Sequence, residues 1–508
     1  MRIAPESTTV LAELQTEIEQ LRSTKNCLLR QVAEVEAALR RAEIRYGKLI
    51  NQNTPISSIP NEILSMIFKI GQAIFRSNLQ DDDDSEPEEH EPPFEVLVSH
   101  VSTHWRDVAI NTHLLWRFID ISPGRSMAGV ASYIARSNGC PLDVRLDLSQ
   151  SVWNPKGVAT EVLDMIISHL GRWHRFSVQS DREGADNPML ARLSDLSAPL
   201  LQHLSLCVDD LEHPDSTSDD NLRPQIFSGG APNLSFVRLR GLGMHFFRPP
   251  LVAVTTLHLD QTKTLPIRYT LFRELLTASP FLTNLSIYGD IIGSDSWTSI
   301  ESSAIEMPAL RSLRICGLSG FVYCGILLGI TAPRLESLVL KDVQEHDLDL
   351  FWTSSQMSKF PLLHSLTFCD FEFSEYTYRN MFRAFTAITK FTSLYSSVNT
   401  PMVLRLLGAS TVNPNSSVLE LPWPNLETLT LLLNLDDEPL VDDVVETRII
   451  AGHPLIKLRL GSSYDLSLMH RFPWLRERVQ VERFRRLDLW PDGLDYPDLD
   501  DVLFFDCF

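Results

Sequence analysis

The chain has 508 residues, enough for more than one structural unit, and a formal net charge of −20, which argues against a nucleic-acid backbone as its main partner. Seven cysteines, scattered and odd in number, speak against a disulfide scaffold and for a reducing intracellular compartment, cytoplasmic or nuclear. The N-terminus lacks the apolar core of a signal peptide, and no apolar run reaches membrane-spanning length.

Residues 8–50 carry a heptad pattern. Its seam is Leu11, Leu14, Ile18, Leu21, Lys25, Leu28, Val32, Val35, Leu39, Ala42, Tyr46 and Leu49, with steps alternating three and four. Charged and amide residues flank the seam, so the segment reads as a coiled-coil helix that pairs with a second copy or with a partner helix. Folding back on its own domain is the other way to cover that seam. Lys25 is a polar break suited to setting register.

A helical module follows over 54–118. Ile59 and Pro60 open a first helix in which Ile63, Ile67, Ile70 and Ile74 form a stripe, with Leu64, Phe68 and Phe75 beside it. Pro60 suits the first helical position, and Glu62 favours the positive end of the dipole. An acidic insertion at about 79–93, rich in Asp and Glu, has the composition of a solvated loop. A second helix over about 94–110 places Leu97, Val101, Trp105 and Val108 on one face. This much apolar surface exceeds what two short helices can cover, so a partner or another part of the chain must shield it.

From 119 to 487 a line of sequence recurs, Pro-x-Leu-x-x-Leu-x-Leu. It begins at Pro199, Pro232, Pro280, Pro308, Pro333, Pro361 and Pro424, mostly about 25–33 residues apart, with longer gaps before Pro280 and before the last copy. Each copy ends in an alternating pair of apolar residues, the mark of a short strand with one face inward. Proline fixes the backbone of the preceding bend. No copy buries its leucines alone, so stacked copies must share one core, the logic of a leucine-rich-repeat solenoid. Residues at the intervening positions, His203, Ser205, Arg238, Arg311, Arg314, Glu336 and Thr367, are polar, as an exposed strand face requires. Cys207, Cys316 and Cys369 fall one per copy and read as small buried groups at one bend. Residues 488–508 form an acidic, aromatic tail suited to capping the last repeat or docking elsewhere.

Catalytic signatures are missing. There is no Walker A loop and no Gly-x-Ser-x-Gly elbow. His100 and His104 lie four apart on the second predicted helix, but Val101 stands where a zinc protease needs glutamate. The chain therefore reads as a non-enzyme without metal or cofactor, of mixed α/β solenoid architecture.

The Ile-Pro-x-Glu-Ile-Leu-x-x-Ile-Phe opening and the Val-Ser-x-x-Trp-Arg-Asp-Val-Ala close resemble an F-box, particularly the F-box-like proteins of mushroom-forming fungi. Those often place a coiled coil before the box and irregular leucine-rich repeats after it, as here. The resemblance implies that Ile59, Pro60, Ile63, Leu64, Ile67, Val101 and Trp105 face the Skp adaptor of a cullin-type (SCF) ubiquitin ligase, with the repeats holding a protein substrate. The acidic insertion departs from the close helix joining usual in F-boxes. The alternative is a coiled-coil and repeat interaction scaffold with no ligase role.

Overall fold

A computed structural model describes residues 5–52, 55–81, 92–122, 126–147, 158–181, 192–209, 225–241, 243–246, 248–261, 266–293, 304–317, 320–353, 359–394, 399–409, 411–412, 419–433, 437–461 and 474–484. The chain divides into two units, Met1–Leu115 and Trp116–Phe508.

The first unit starts with one helix, α1 (Pro5–Gln52), of 48 residues. At 1.5 Å per residue it is about 72 Å long. Every described side chain from 13 to 46 is exposed, so no described residue covers the seam and the helix does not fold back.

Three further helices make a small bundle: α2 (Asn61–Asp81), α3 (Phe94–Val101) and α4 (Thr103–Asn111). Helix α2 begins at Asn61; Pro60 stands just before it, and its carbonyl accepts from Leu64 N at 3.0 Å. The single second helix expected over 94–110 is two helices. Ser102 is extended (φ −156°, ψ 168°), and its hydroxyl accepts from Trp105 N at 3.1 Å, capping α4. That cap satisfies a donor the helix start would otherwise orphan, which stabilises the break. Leu97 and Val101 therefore belong to a different helix from Trp105 and Val108, as His100 does from His104. Gly71 lets α3 approach α2: a Cβ there would sit 2.5 Å from Phe94 Cζ. Gln72 Nε2 donates to Glu95 Oε2 at 2.6 Å and to the Leu115 carbonyl at 2.9 Å, tying α2 to α3 and to the end of the unit.

The second unit is built on one parallel sheet of 14 strands whose spatial order is their chain order. The strands are β1 (Phe118–Ile121), β2 (Leu142–Asp147), β3 (Trp173–Asp181), β4 (His203–Asp209), β5 (Phe236–Gly241), β6 (Thr256–Asp260), β7 (Asn284–Tyr288), β8 (Ser312–Cys316), β9 (Ser337–Lys341), β10 (Ser365–Cys369), β11 (Lys390–Leu394), β12 (Thr428–Leu432), β13 (Lys457–Gly461) and β14 (Gln480–Arg483). Helices connect many of them, among them Tyr269–Thr277, Glu375–Ala384 and Glu438–Ile450. The result is a solenoid-like α/β stack.

The proline motif sets the entry to each strand. In Ala198-Pro199-Leu200-Leu201, Leu201 N bonds the Ala198 carbonyl at 3.2 Å, a turn with proline at its second position. The same bond recurs from Leu234 to Ala231, Leu282 to Ser279, Leu310 to Met307, Leu335 to Ala332, Leu363 to Phe360 and Leu426 to Trp423. The leucine that closes the turn is buried in every case. Leu204, Leu239, Leu257, Leu285, Leu313, Leu338, Leu366, Leu429 and Leu458 continue the same core along the stack.

The strand exits repeat as well. Gly289, Asp342 and Asp370 follow β7, β9 and β10 with φ of 76°, 55° and 48°. Each donates its N–H to the last carbonyl of the next strand, at 2.7, 3.0 and 3.1 Å. Aspartate tolerates this left-handed backbone better than most side chains. At Gly289 nothing larger fits, because a Cβ would lie 2.1 Å from the Gln261 carbonyl oxygen. Gly289→Ala is expected to cost about 2 kcal/mol or more, read as a lower urea midpoint.

Near the far end Arg448 is fully buried under the bend at Pro422–Leu426. Its Nη2 donates to the Trp423 carbonyl at 2.8 Å and its Nη1 to Pro422 at 3.2 Å. Burial lowers its pKa to about 10. Arg448→Met should cost about 3 kcal/mol by leaving those carbonyls without donors, and Arg448→Lys should recover only part, because one ammonium cannot reproduce the planar fork. Thermal unfolding of the two variants checks this.

Candidate functional site

Helix α2 carries two apolar faces with different fates. Leu64 and Phe68 point into the bundle and are each 1% exposed. Ile63, Ile67, Ile70 and Ile74, one turn or nearly so apart, point outward and are 46–56% exposed. Met66 and Ile56 are also exposed, as are Leu97 and Val101 on α3, Val101 at 60%. Four isoleucines in one row is a contiguous apolar ridge, not scattered surface leucine.

The seven residues expected at an adaptor interface therefore separate. Pro60, Ile63, Ile67 and Val101 are exposed, and Ile59 is half-buried. Trp105 is half-buried, with its ring 5.1 Å from that of Phe68, so it both supports the bundle and offers an edge. Leu64 is a correction: it belongs to the core of its own unit and has no surface to present. Its sequence spacing beside Ile63 places it on the stripe's margin, and packing against the bundle decides which side it serves. Ile70 and Ile74 complete the ridge; their spacing was visible in the sequence, but which face stayed open was not. Most of the acidic insertion, residues 82–91, lies outside the described residues.

On α1, Leu14, Ile18, Leu21, Leu28, Val32, Val35, Leu39, Tyr46 and Leu49 are all exposed on one seam. The Leu11 side chain lies outside the described residues.

In the second unit the sheet face opposite the leucines carries aligned rows. The middle row over β3–β8 is Ser177, Ser205, Arg238, His258, Ser286 and Arg314. Beside it run Arg175, His203, Phe236 and Thr256, and on the other side Gln179, Cys207, Arg240, Asp260, Tyr288 and Cys316. Here the expectation of an exposed polar face needs correcting. His203, Ser205, Arg238, Arg314 and Thr367 are buried, Arg238 completely. Alternation fixes the side of the sheet, and accessibility then depends on what surrounds that side. Arg311 and Glu336 precede their strands; Arg311 remains exposed, Glu336 is half-buried, and the two approach to 3.6 Å.

Arg238 Nη2 lies 2.9 Å from Asp260 Oδ2, and Arg240 Nε lies 3.8 Å from the same oxygen. Burial, and then the neighbouring arginines, push His203 and His258 well below the usual imidazole range, so both are neutral. Cys207, Cys316 and Cys369 are buried in one row, on β4, β8 and β10. At about 4.8 Å per strand those thiols are too far apart to share a metal. Burial raises the Cys369 thiol to about 12 and Cys324 to about 11, which keeps both protonated and unreactive.

Among the described residues no group of three or more His, Cys, Asp or Glu is placed to hold a metal ion, and no helix is long and apolar enough to cross a membrane. No protein-family profile matches the chain, and no curated protein matches it in sequence.

Proposed function

We propose that this protein is an F-box substrate receptor of an SCF-type ubiquitin ligase. The observation that carries the reading is the outward ridge of Ile63, Ile67, Ile70 and Ile74 on a helix whose Leu64 and Phe68 are packed inward, with Val101 of the same unit also exposed. A Skp-type adaptor covers the ridge, as the resemblance of residues 56–118 to an F-box implies. The solenoid is an irregular leucine-rich-repeat array, and the residues that stay exposed at its strand entries, such as Arg311, receive a protein substrate. The receptor makes no bonds itself. It holds the target near the ubiquitin-loaded enzyme and so raises its effective concentration there. The coil pairs with a second copy and presents two receptors per assembly.

The test is reconstitution of ubiquitin transfer with purified adaptor, cullin complex and the full chain. Ubiquitin chains on this protein, or on a protein captured with it, are expected only when adaptor and receptor are both present. Equal transfer with and without the receptor overturns the reading.

A further inference from the structure

The seam of α1 is exposed from Leu14 to Tyr46, and the positions beside it are open as well. The heptad fixes those flanks. Ile18, Lys25 and Val32 hold one core position, and Leu21, Leu28 and Val35 hold the other. One flank is then Glu17, Thr24, Gln31, Ala38 and Arg45; the other is Gln15, Arg22, Leu29, Glu36 and Glu43. All ten side chains are exposed. Charges at such flanks decide which helix is accepted and in which direction it runs.

Two parallel copies in register set Lys25 against Lys25 in one core layer. Opposite flanks then meet. Glu17 faces Arg22, Leu29 faces Thr24, and Glu36 faces Gln31, so one kind of ion pair forms among these residues.

Two antiparallel copies centred on Arg30 meet differently. Seam residues match from Leu28 with Val32 at the centre out to Leu14 with Tyr46. Lys25 faces Val35, with Glu36 next to it, and the two lysines are about 15 Å apart along the coil. Each flank now meets its own kind. Glu17 faces Arg45 and Arg22 faces Glu36, each twice by symmetry, and no like charges meet among these residues. Leu29 is an apolar residue at a flank and 56% exposed in the single chain. In this arrangement it packs on its own copy at the two-fold axis, which removes both side chains from water.

We propose that α1 pairs with a second copy of this chain as an antiparallel two-stranded coiled coil, its two-fold axis at the level of Arg30. This rests on the pairing of the coil proposed above and adds its direction. Seam composition sets the number of strands, and the flanks set their direction. The consequence is spacing. Helix α1 ends at Gln52, so the two copies of Gln52 stand about 66 Å apart instead of side by side. The two helical bundles then begin at opposite ends of the coil.

Double electron–electron resonance on the full chain reads the direction. The spin label goes on Ile44→Cys, an exposed position away from the seam. Cys27, Cys140 and Cys507 are changed to serine, while Cys207, Cys316, Cys324 and Cys369 stay, being buried. The label separation in the dimer should be about 45 Å, against about 25 Å or less for parallel helices. Charge exchange reads it a second way. Glu17→Lys should weaken self-association about tenfold, and Glu17→Lys/Arg45→Glu should restore it. In a parallel pair that double variant stays as weak as Glu17→Lys, because Arg45 faces no charge there. A dimer with the short separation, or a double variant that fails to recover, overturns the antiparallel assignment and leaves the pairing standing. A monomer by light scattering overturns both, and assigns the seam to a helix of another protein.

Discussion

Ile63→Asp/Ile67→Asp is expected to lower affinity for a Skp-type adaptor by more than about 100-fold while leaving the protein folded. Both side chains stand on the outward ridge of α2 and contribute little to the bundle, so charging them costs the unit little stability. The same substitution one position along has the opposite signature. Leu64→Asp buries an unpaired carboxylate in the bundle and should unfold the unit, with a cost of about 4 kcal/mol or more. Trp105→Ala falls between the two, because its ring packs on Phe68 and any loss of binding is mixed with loosened packing. Calorimetric titration with the adaptor, paired with circular dichroism of each variant, separates these outcomes. Weak binding with an intact fold marks the ridge as the interface. Unchanged binding by the double aspartate variant removes it.

Leu21→Lys/Leu28→Lys is expected to convert a dimer into a monomer. The seam alternates in steps of three and four, which places Ile18, Lys25 and Val32 at one core position and Leu21 and Leu28 at the other. β-branched residues at the first with leucine at the second favour two strands, and a lysine in the first position is tolerated best in a dimer. Every described seam side chain from Leu14 to Tyr46 is exposed, and the pairing proposed above would cover it. Two added charges per strand in adjacent layers should weaken association by more than about 100-fold. Light scattering after gel filtration reads the mass directly. Much of the α1 helical signal should fall with it, since a single amphipathic helix with a bare seam is marginal in water. A variant that keeps its dimer mass contradicts the pairing.

The solenoid was legible because its signal is local and repeated. A proline that starts a turn and leucines at fixed offsets predict the bend, the strand and the core together, and the structure uses all three at Pro199, Pro232, Pro280, Pro308, Pro333, Pro361 and Pro424. Strands β1 to β3 lack that signal. Phe118–Ile121 and Leu142–Asp147 are short alternations without the full motif, and only pairing with neighbours distinguishes them from loop. The break at Ser102 was hidden because apolar spacing runs straight through it; the signal was the serine three residues before Trp105, which supplies the cap. Burial of Arg238, Arg314 and His258 was beyond periodicity altogether. Alternation names a face, while depth on that face depends on the rows on either side. At the ridge the sequence supplied the isoleucine stripe, and packing then separated Leu64 from its exposed neighbours.

Co-purification of the full chain with a Skp-type adaptor after co-expression, beside Ile63→Asp/Ile67→Asp, tests the central claim most directly. A stoichiometric complex with wild type that is lost in the folded variant is the predicted result. A folded wild-type protein that recovers no adaptor, or a variant that retains it equally, would contradict the receptor assignment and leave a coiled-coil and repeat scaffold.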